Sequence, residues 1–251
     1  GTVVIVAAGN ENQNASNSNP ANCAGVVTVA ATNRSGGRAW YSNYGAVVDV
    51  AAPGGDTSVS ANGILSTLNT GTGAPGSDSY AFFQGTSMAT PHLAGAAAVV
   101  LGQHPGWSSA QVRSAIVNTA DQGVVKSHTD GTTVVNNVNI VGSGRLNLLA
   151  AVGASVALDP VSVSFGAVPA GSGQSDTRTV SISSLGGAVT AVDVTDETGG
   201  GVDFGATFSG DTITVTMTAA KGATFGGRQG ILRVYGASGE IAHAAVYTLI
   251  K

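Results

Sequence analysis

The apolar positions of this chain change their period twice, and each change marks a different kind of structure. Residues 1 to 9, GTVVIVAAG, form a short continuous apolar run rich in β-branched residues, the pattern of a strand buried on both faces in a parallel sheet. Two more runs follow, Val26 to Ala31 and Val47 to Ala52, separated by loops rich in Asn, Ser and Gly, of which Asn10 to Asn22 is the first. From Ser87 the pattern becomes MATPHLAGAAAVVLGQ. Its Pro91 is early enough to be tolerated near a first turn, and the run predicts a helix that is apolar all round and therefore buried. A second helix is expected where Ser108 and Gln111 make a capping-box spacing, with Val112, Ala115, Ile116 and Thr119 on one face packing against this first region. A third helical stretch, Leu146 to Val156, is expected to end before Asp159 and Pro160. Beyond Pro160 the period is two: VSVSF, TRTVSIS, AVTAVDV, DTITVTM, ILRVYG and AHAAVYTLI alternate apolar and polar residues between Gly-rich turns. About six or seven short strands in about 90 residues predict an antiparallel β-sandwich of immunoglobulin-like or fibronectin-like type. Phe165, Phe204, Phe208, Phe225, Tyr235 and Tyr247 are expected to fill its core. The expected domains are residues 1–157 and 158–251.

Composition narrows the function classes. Only 10% of the 251 residues are charged and 37 are Gly, against about 25% charged in an average soluble domain. A surface built from Ser, Thr, Asn and Gly suits an extracellular protein. The net charge of −4 and the lack of any Lys/Arg cluster leave no basic field for a phosphate backbone, so nucleic acid is not an expected partner. The longest apolar stretches, such as Ala94 to Leu101, fall short of the ~20 residues a spanning helix needs. No membrane association is expected, and no signal peptide opens the chain, which reads as already processed. The single Cys23 leaves three options: a buried free thiol, a bond to another chain, or a bond to a segment outside this chain.

The most informative string is GTSMATPH, residues 85 to 92. It places Ser87 between a Gly-Thr turn and a helix start, where orphan N–H groups and the helix dipole stabilise negative charge. A nucleophilic serine needs that arrangement beside its oxyanion. The spacing alone equally fits an ordinary helix N-cap. It does not fit the GxSxG elbow of α/β-hydrolases, because Ala89 stands at the second Gly position.

GTSMATPHLAGAAAVV closely resembles the nucleophile segment of the subtilisin-like serine proteases. AAGNEN at 7–12 is similar to that family's oxyanion-hole segment. YSNYG at 41–45, VVDVAAPG at 47–54, HPGWSSAQVRSAIVNTA at 104–120 and GSGRLNLLAA at 142–151 follow in family order. The resemblance covers about residues 1 to 155 and implies an α/β fold: part of a subtilisin-like parallel sheet with buried helices, followed here by the all-β sandwich. It implies that Ser87 is the nucleophile of a secreted endopeptidase, that its N–H and the Asn10 amide donate to the oxyanion, and that Ala7, Ala8 and Gly9 line the substrate pocket, with Glu11 near its mouth. No cofactor is implied for catalysis. A structural calcium is implied at Asp49 with the carbonyls of Ala24 and Val26, although Asp49 also reads as a loop Asp capping nearby N–H groups. Cys23 is implied to pair with a cysteine in a segment upstream of this chain.

In this family the triad runs Asp, His, Ser along the chain. The four histidines here, His92, His104, His128 and His243, all follow Ser87, and Asp49, Asp56 and Asp78 do not replace the absent pair. The expectation is a protease half that needs an N-terminal fragment carrying Asp and His, is inactive alone, and acts on peptide and protein substrates bound as extended strands. The rival expectation is an inert binding or structural module working through its sandwich.

Overall fold

The structure is a computed structural model and describes residues 1–195 and 197–251. The chain divides into two compact units: Val4–Gly95 with Gln122–Arg145, and Gly1–Val3 with Ala96–Asp121 and Leu146–Lys251.

The first unit is built on a parallel three-stranded sheet, β1 (Ile5–Ala7), β2 (Val27–Thr32) and β3 (Val50–Pro53), in that order. Ile5 stands opposite Val27, and Val29 opposite Val50. All three expected strands form, but only β2 is buried throughout. Strand β1 is half-buried and Val4 is 50% exposed: only β2 pairs with it among the described residues, whereas β3, the other outer strand, is flanked by bridges to Gly142 and Arg145. A continuous apolar run therefore overstated its burial. An antiparallel hairpin, β4 (Ile64–Asn69) and β5 (Asp78–Phe83), was not legible in the sequence. Leu65, Leu68, Tyr80, Phe82 and Phe83 are exposed, so no buried face imposes an apolar–polar alternation on it.

Helix α1 (Thr86–Gln103) forms as expected and runs from the first unit into the second. Its burial corrects the sequence reading: Ala89, Leu93, Ala96, Ala97 and Val100 are buried, whereas Val99 and Leu101 are exposed. Only one stripe of this apolar helix is covered by the described residues.

The second unit holds two four-stranded sheets around one core. From β6 (Val156–Asp159), β7 (Val163–Val168), β8 (Gln174–Ser184), β9 (Ala191–Thr195), β10 (Val202–Ser209), β11 (Thr212–Ala219), β12 (Gly226–Gly236) and β13 (Gly239–Ile250), the sheet orders are β10-β11-β8-β6 and β7-β13-β12-β9. Alternate residues of both sheets, among them Phe165, Val180, Ile213, Met217, Leu232 and Val246, make one apolar cluster. The pairing is antiparallel except that β7 runs parallel to β13, which departs from an all-antiparallel sandwich. Of the aromatic residues expected inside, Phe165 and Phe204 are buried, while Phe208 and Phe225 are exposed.

The expected third helix is shorter than predicted. Helix α4 (Leu148–Val152) starts at the Asn147 cap and stops at Gly153, and the next apolar residues extend as β6, with Leu158 opposite Ile182. Helix α2 (Ser109–Asn118) has the predicted capping box, but it belongs to the unit of the two sheets. The Ser114 hydroxyl accepts from the Leu158 N–H at 2.7 Å, and Asn118 Nδ2 donates to the carbonyls of Val161 and His243, each at 2.8 Å. These buried polar residues lie outside the apolar stripe by which the helix was recognised. The four-residue α3 (Val138–Val141) lies in the first unit.

Candidate active site

Ser87 lies in the first turn of α1 and is exposed. Gly85 enters the helix at φ +149°, a conformation that favours glycine. Its carbonyl accepts from Met88 N–H and Ala89 N–H, so the ordinary helix ladder begins just past Ser87. Among the described residues nothing accepts a hydrogen bond from the Ser87 N–H, which is one of the orphan donors of a helix start. The Gly85 N–H donates to the Gly54 carbonyl and to the Tyr41 hydroxyl, each at 3.0 Å, and that hydroxyl donates to the Gly55 carbonyl at 2.7 Å. Burial, with Asp56 nearby, pushes the Tyr41 phenol up to about 12, against the lowering effect of the Gly85 hydrogen bond.

Asn10 follows β1 in the loop leading to Gln13. Its Oδ1 accepts from the Thr86 N–H at 2.8 Å and from the Thr86 hydroxyl at 2.9 Å. That hydroxyl also accepts from the Gly9 N–H at 3.1 Å. Two donors on Oδ1 settle which way the amide faces: the oxygen is spent on the buried Thr86, and the NH₂ group points elsewhere. Nothing among the described residues accepts from Nδ2. A Cβ added at Gly85 would stand 3.6 Å from both Asn10 Nδ2 and Oδ1 and 3.6 Å from Ser87 N. The two donors therefore border the same small space, which the missing side chain of Gly85 leaves open. Two unpartnered donors held beside one space can stabilise an oxygen that gains charge there.

The other residues named from the sequence fall as follows. Ala7 and Gly9 are half-buried, but Ala8 is buried in an alanine-rich core with Ala15, Ala21, Ala30, Val48 and Ala51, so only its backbone can face a pocket. The Glu11 carboxylate accepts from the Asn10 N–H and from Asn43 Nδ2. Asp49 Oδ2 accepts from the Thr28 N–H at 2.7 Å, the capping role its loop position allowed. Ala24 is exposed and Val26 half-buried. Among the described residues no three of His, Cys, Asp and Glu converge on a metal position, and a cation at Asp49 would rest on one carboxylate and backbone carbonyls. Cys23 is exposed with a free thiol.

No histidine is hydrogen-bonded to Ser87 among the described residues. His92 Nδ1 bonds the Met88 carbonyl one turn back, and five residues of helix rotate it about 140° from Ser87. His104 bonds the Val152 carbonyl, His128 adjoins Arg38, and His243 adjoins Glu240. Sequence reasoning gave no role to Thr86, Tyr41 or Asn43, although all three lie inside the strings GTSMATPH and YSNYG.

The sequence model described as "Subtilase family" matches residues 1–144. The chain belongs to the subtilase family. Among its subtilase relatives, an extracellular protease of Xanthomonas campestris pv. campestris is 52% identical over 121 residues, 48% of this chain and 20% of that protein. Subtilisin BL of Lederbergia lenta is 39% identical over 151 residues, 60% of this chain and 46% of that protein. A solved structure of proteases from Pseudoalteromonas arctica shares 45% identity with a TM-score of 0.54, covering 61% of this chain and 43% of that one. This subtilase chain thus spans less than half the length of each of these three. Its α/β portion with a parallel sheet is consistent with the family fold.

Proposed function

We propose that Ser87 is the nucleophile of a secreted serine endopeptidase whose His and Asp come from residues outside this chain. Ser87 Oγ attacks the scissile carbonyl carbon while its proton passes to the imidazole of that histidine. The carbonyl oxygen, now an anion, accepts from the Ser87 N–H and Asn10 Nδ2. Collapse expels the amine, which takes the proton, and leaves an ester on Ser87. Water, deprotonated by the same histidine, then hydrolyses the ester. Without the base, the hydroxyl stays protonated and weakly nucleophilic, so the chain alone is inactive. Peptide and protein substrates bind extended beside the loop of Ala7, Ala8 and Gly9.

The observation that supports this reading best is the Asn10 amide, whose oxygen is pinned by Thr86 while Nδ2 and the Ser87 N–H stay unpartnered around Gly85. Asn10→Ala in the complete protease should lower kcat about 100- to 1,000-fold with KM little changed, a magnitude known from subtilisin itself. An unchanged kcat in the folded variant would remove the oxyanion role.

Three finer readings belong to the same proposal. Exposed Cys23 forms a disulfide to an upstream segment, to be checked by thiol titration of the unreduced complete protein; a titratable Cys23 there would exclude the bond. A structural calcium rests on Asp49 with the carbonyls of Ala24 and Val26, an all-oxygen donor set that suits this ion. Chelation should then lower Tm, and an unchanged Tm would exclude it. The two-sheet region, residues 158–251, is an immunoglobulin-like accessory domain, separate from a peptidase part over residues 1–157. Unfolding of the complete protein should then show two separate transitions, and a single cooperative transition would refute the division.

A further inference from the structure

The loop that presents Asn10 has no regular structure: residues 8–13 leave β1 through Gly9 at φ +103° and Asn12 at φ 52°. Such a segment has no ladder of its own, so its shape is set by the bonds that reach it from elsewhere. Asn43 supplies more of them than any other residue. Its side chain is 0% exposed, and Oδ1 accepts from the N–H groups of Glu11 and Gln13, each at 3.0 Å. Nδ2 donates to the Ala8 carbonyl at 3.0 Å and to Glu11 Oε2 at 2.8 Å, and stands 3.2 Å from Ser18 Oγ. The Asn43 N–H donates to the Gly9 carbonyl at 3.0 Å.

Asn43 therefore holds residues 8, 9, 11 and 13, and Asn10 sits inside the bracket. Glu11 closes it, because the Oε2 that accepts from Asn43 also accepts from the Asn10 N–H at 2.9 Å. Gly9 records how close the approach is: a Cβ there would lie 2.3 Å from Asn43 Nδ2 and 2.7 Å from Glu11 Oε2. A side chain at position 9 and the Asn43 amide cannot share that space.

We propose that Asn43, with Glu11, is a positioning residue for the oxyanion hole and acts on catalysis through Asn10. This rests on the reading of Asn10 as an oxyanion donor. A buried amide with both its oxygen and its NH₂ engaged has little freedom to rearrange. Thr86 fixes the far end of the Asn10 side chain, Asn43 and Glu11 fix its main chain, and Nδ2 is left unpartnered beside Gly85 and the Ser87 N–H. A displacement of about 1 Å at such a donor can cost on the order of 100-fold in rate.

The test is a double-mutant cycle on the complete protease, with kcat, KM and Tm measured on a peptide p-nitroanilide. Asn43→Asp keeps the size and the accepting oxygen, but removes the donors to Ala8 and sets a second carboxylate against Glu11. It should lower kcat by about 10- to 100-fold with KM within about threefold. In an Asn10→Ala background the same change should alter kcat by less than about twofold, because residues acting through one group are not additive. Should Asn43→Asp fail to fold, Glu11→Ala at an exposed position carries the same cycle, with a several-fold kcat loss that Glu11→Gln largely restores. Equal kcat losses in both backgrounds, a change confined to KM, or an unaltered kcat in the folded single variant would each overturn the proposal. If Asn10→Ala alone leaves kcat unchanged, the oxyanion reading falls and takes this proposal with it, an outcome separate from the other three.

Discussion

The unit of residues 4–95 and 122–145 buries a cluster of small residues, Ala8, Ala15, Ala21, Ala30, Val48 and Ala51. The other unit buries Val, Ile, Leu, Phe and Met side chains from two sheets around one core. The first also buries Thr28, Arg38, Ser42, Asn43 and Thr86, whose side chains bond main-chain groups of the surrounding segments. The Arg38 guanidinium bonds Asn12 Oδ1, the Ser42 carbonyl and His128 Nδ1. Burial lowers its affinity for the proton, partly offset by Tyr44. The sheets are held by area removed from water, about 1.5–3 kcal/mol for each large apolar side chain. The loops of the first unit are held by directional bonds, each worth only about 0.5–1.5 kcal/mol net but costly to leave half-made. The proposed oxyanion hole, with two N–H donors to place beside one space, needs the second kind of construction.

The sharpest contrast comes from deleting one side chain of each kind. Leu232→Ala, at a wholly buried position in β12, should destabilise the two-sheet unit by about 2–5 kcal/mol, read from its thermal or denaturant unfolding. A cost under about 1 kcal/mol would mean that this core is loosely packed. Thr86→Val keeps the shape but strands the Gly9 N–H and one bond of Asn10 Oδ1. It should cost about 1–3 kcal/mol and reduce kcat besides, whereas Leu232→Ala should leave kcat of the folded protease unaltered. If the two substitutions affected stability and kcat in the same proportion, the distinction between the units would fail.

A smaller effect tests the polar unit by pH. The Tyr41 phenol titrates in the folded state at about 12, above its ordinary value of 10.0, chiefly because it is buried. The raised value favours the neutral form in the fold. Its stabilising contribution is therefore complete below pH 10, declines between pH 10 and 12, and is absent above that. Tyr41→Phe should flatten the alkaline fall of Tm over this window; an identical fall in both proteins would exclude Tyr41 as its source.

The same contrast explains what the sequence could reveal. The two-sheet region was legible from its period, because alternate residues of β8, β11 and β13 face one core. The hairpin β4–β5 was not, because it has no buried face to pattern it. Helix α1 was legible as a helix but not in its burial, since an apolar composition does not say which sides the described residues cover. Helix α2 was found by its apolar stripe, while Ser114 and Asn118, which tie it to β6 and the neighbouring strands, gave no periodic signal. At the site, Ser87 and Asn10 came from the strings GTSMATPH and AAGNEN through their resemblance to subtilases. Asn43 and Thr86 stood in equally visible strings, yet their roles depend on contacts 30 and 76 residues away along the chain.

The most direct test of the central claim is fluorophosphonate labelling followed by mass mapping, on the 251-residue chain alone and on the complete protease. Ser87 should be modified stoichiometrically in the complete protease and almost not at all in the isolated chain, in which none of the four histidines is hydrogen-bonded to it. Equal labelling of Ser87 in both would contradict the need for an outside base, and no labelling of Ser87 in the complete protease would contradict its assignment as the nucleophile.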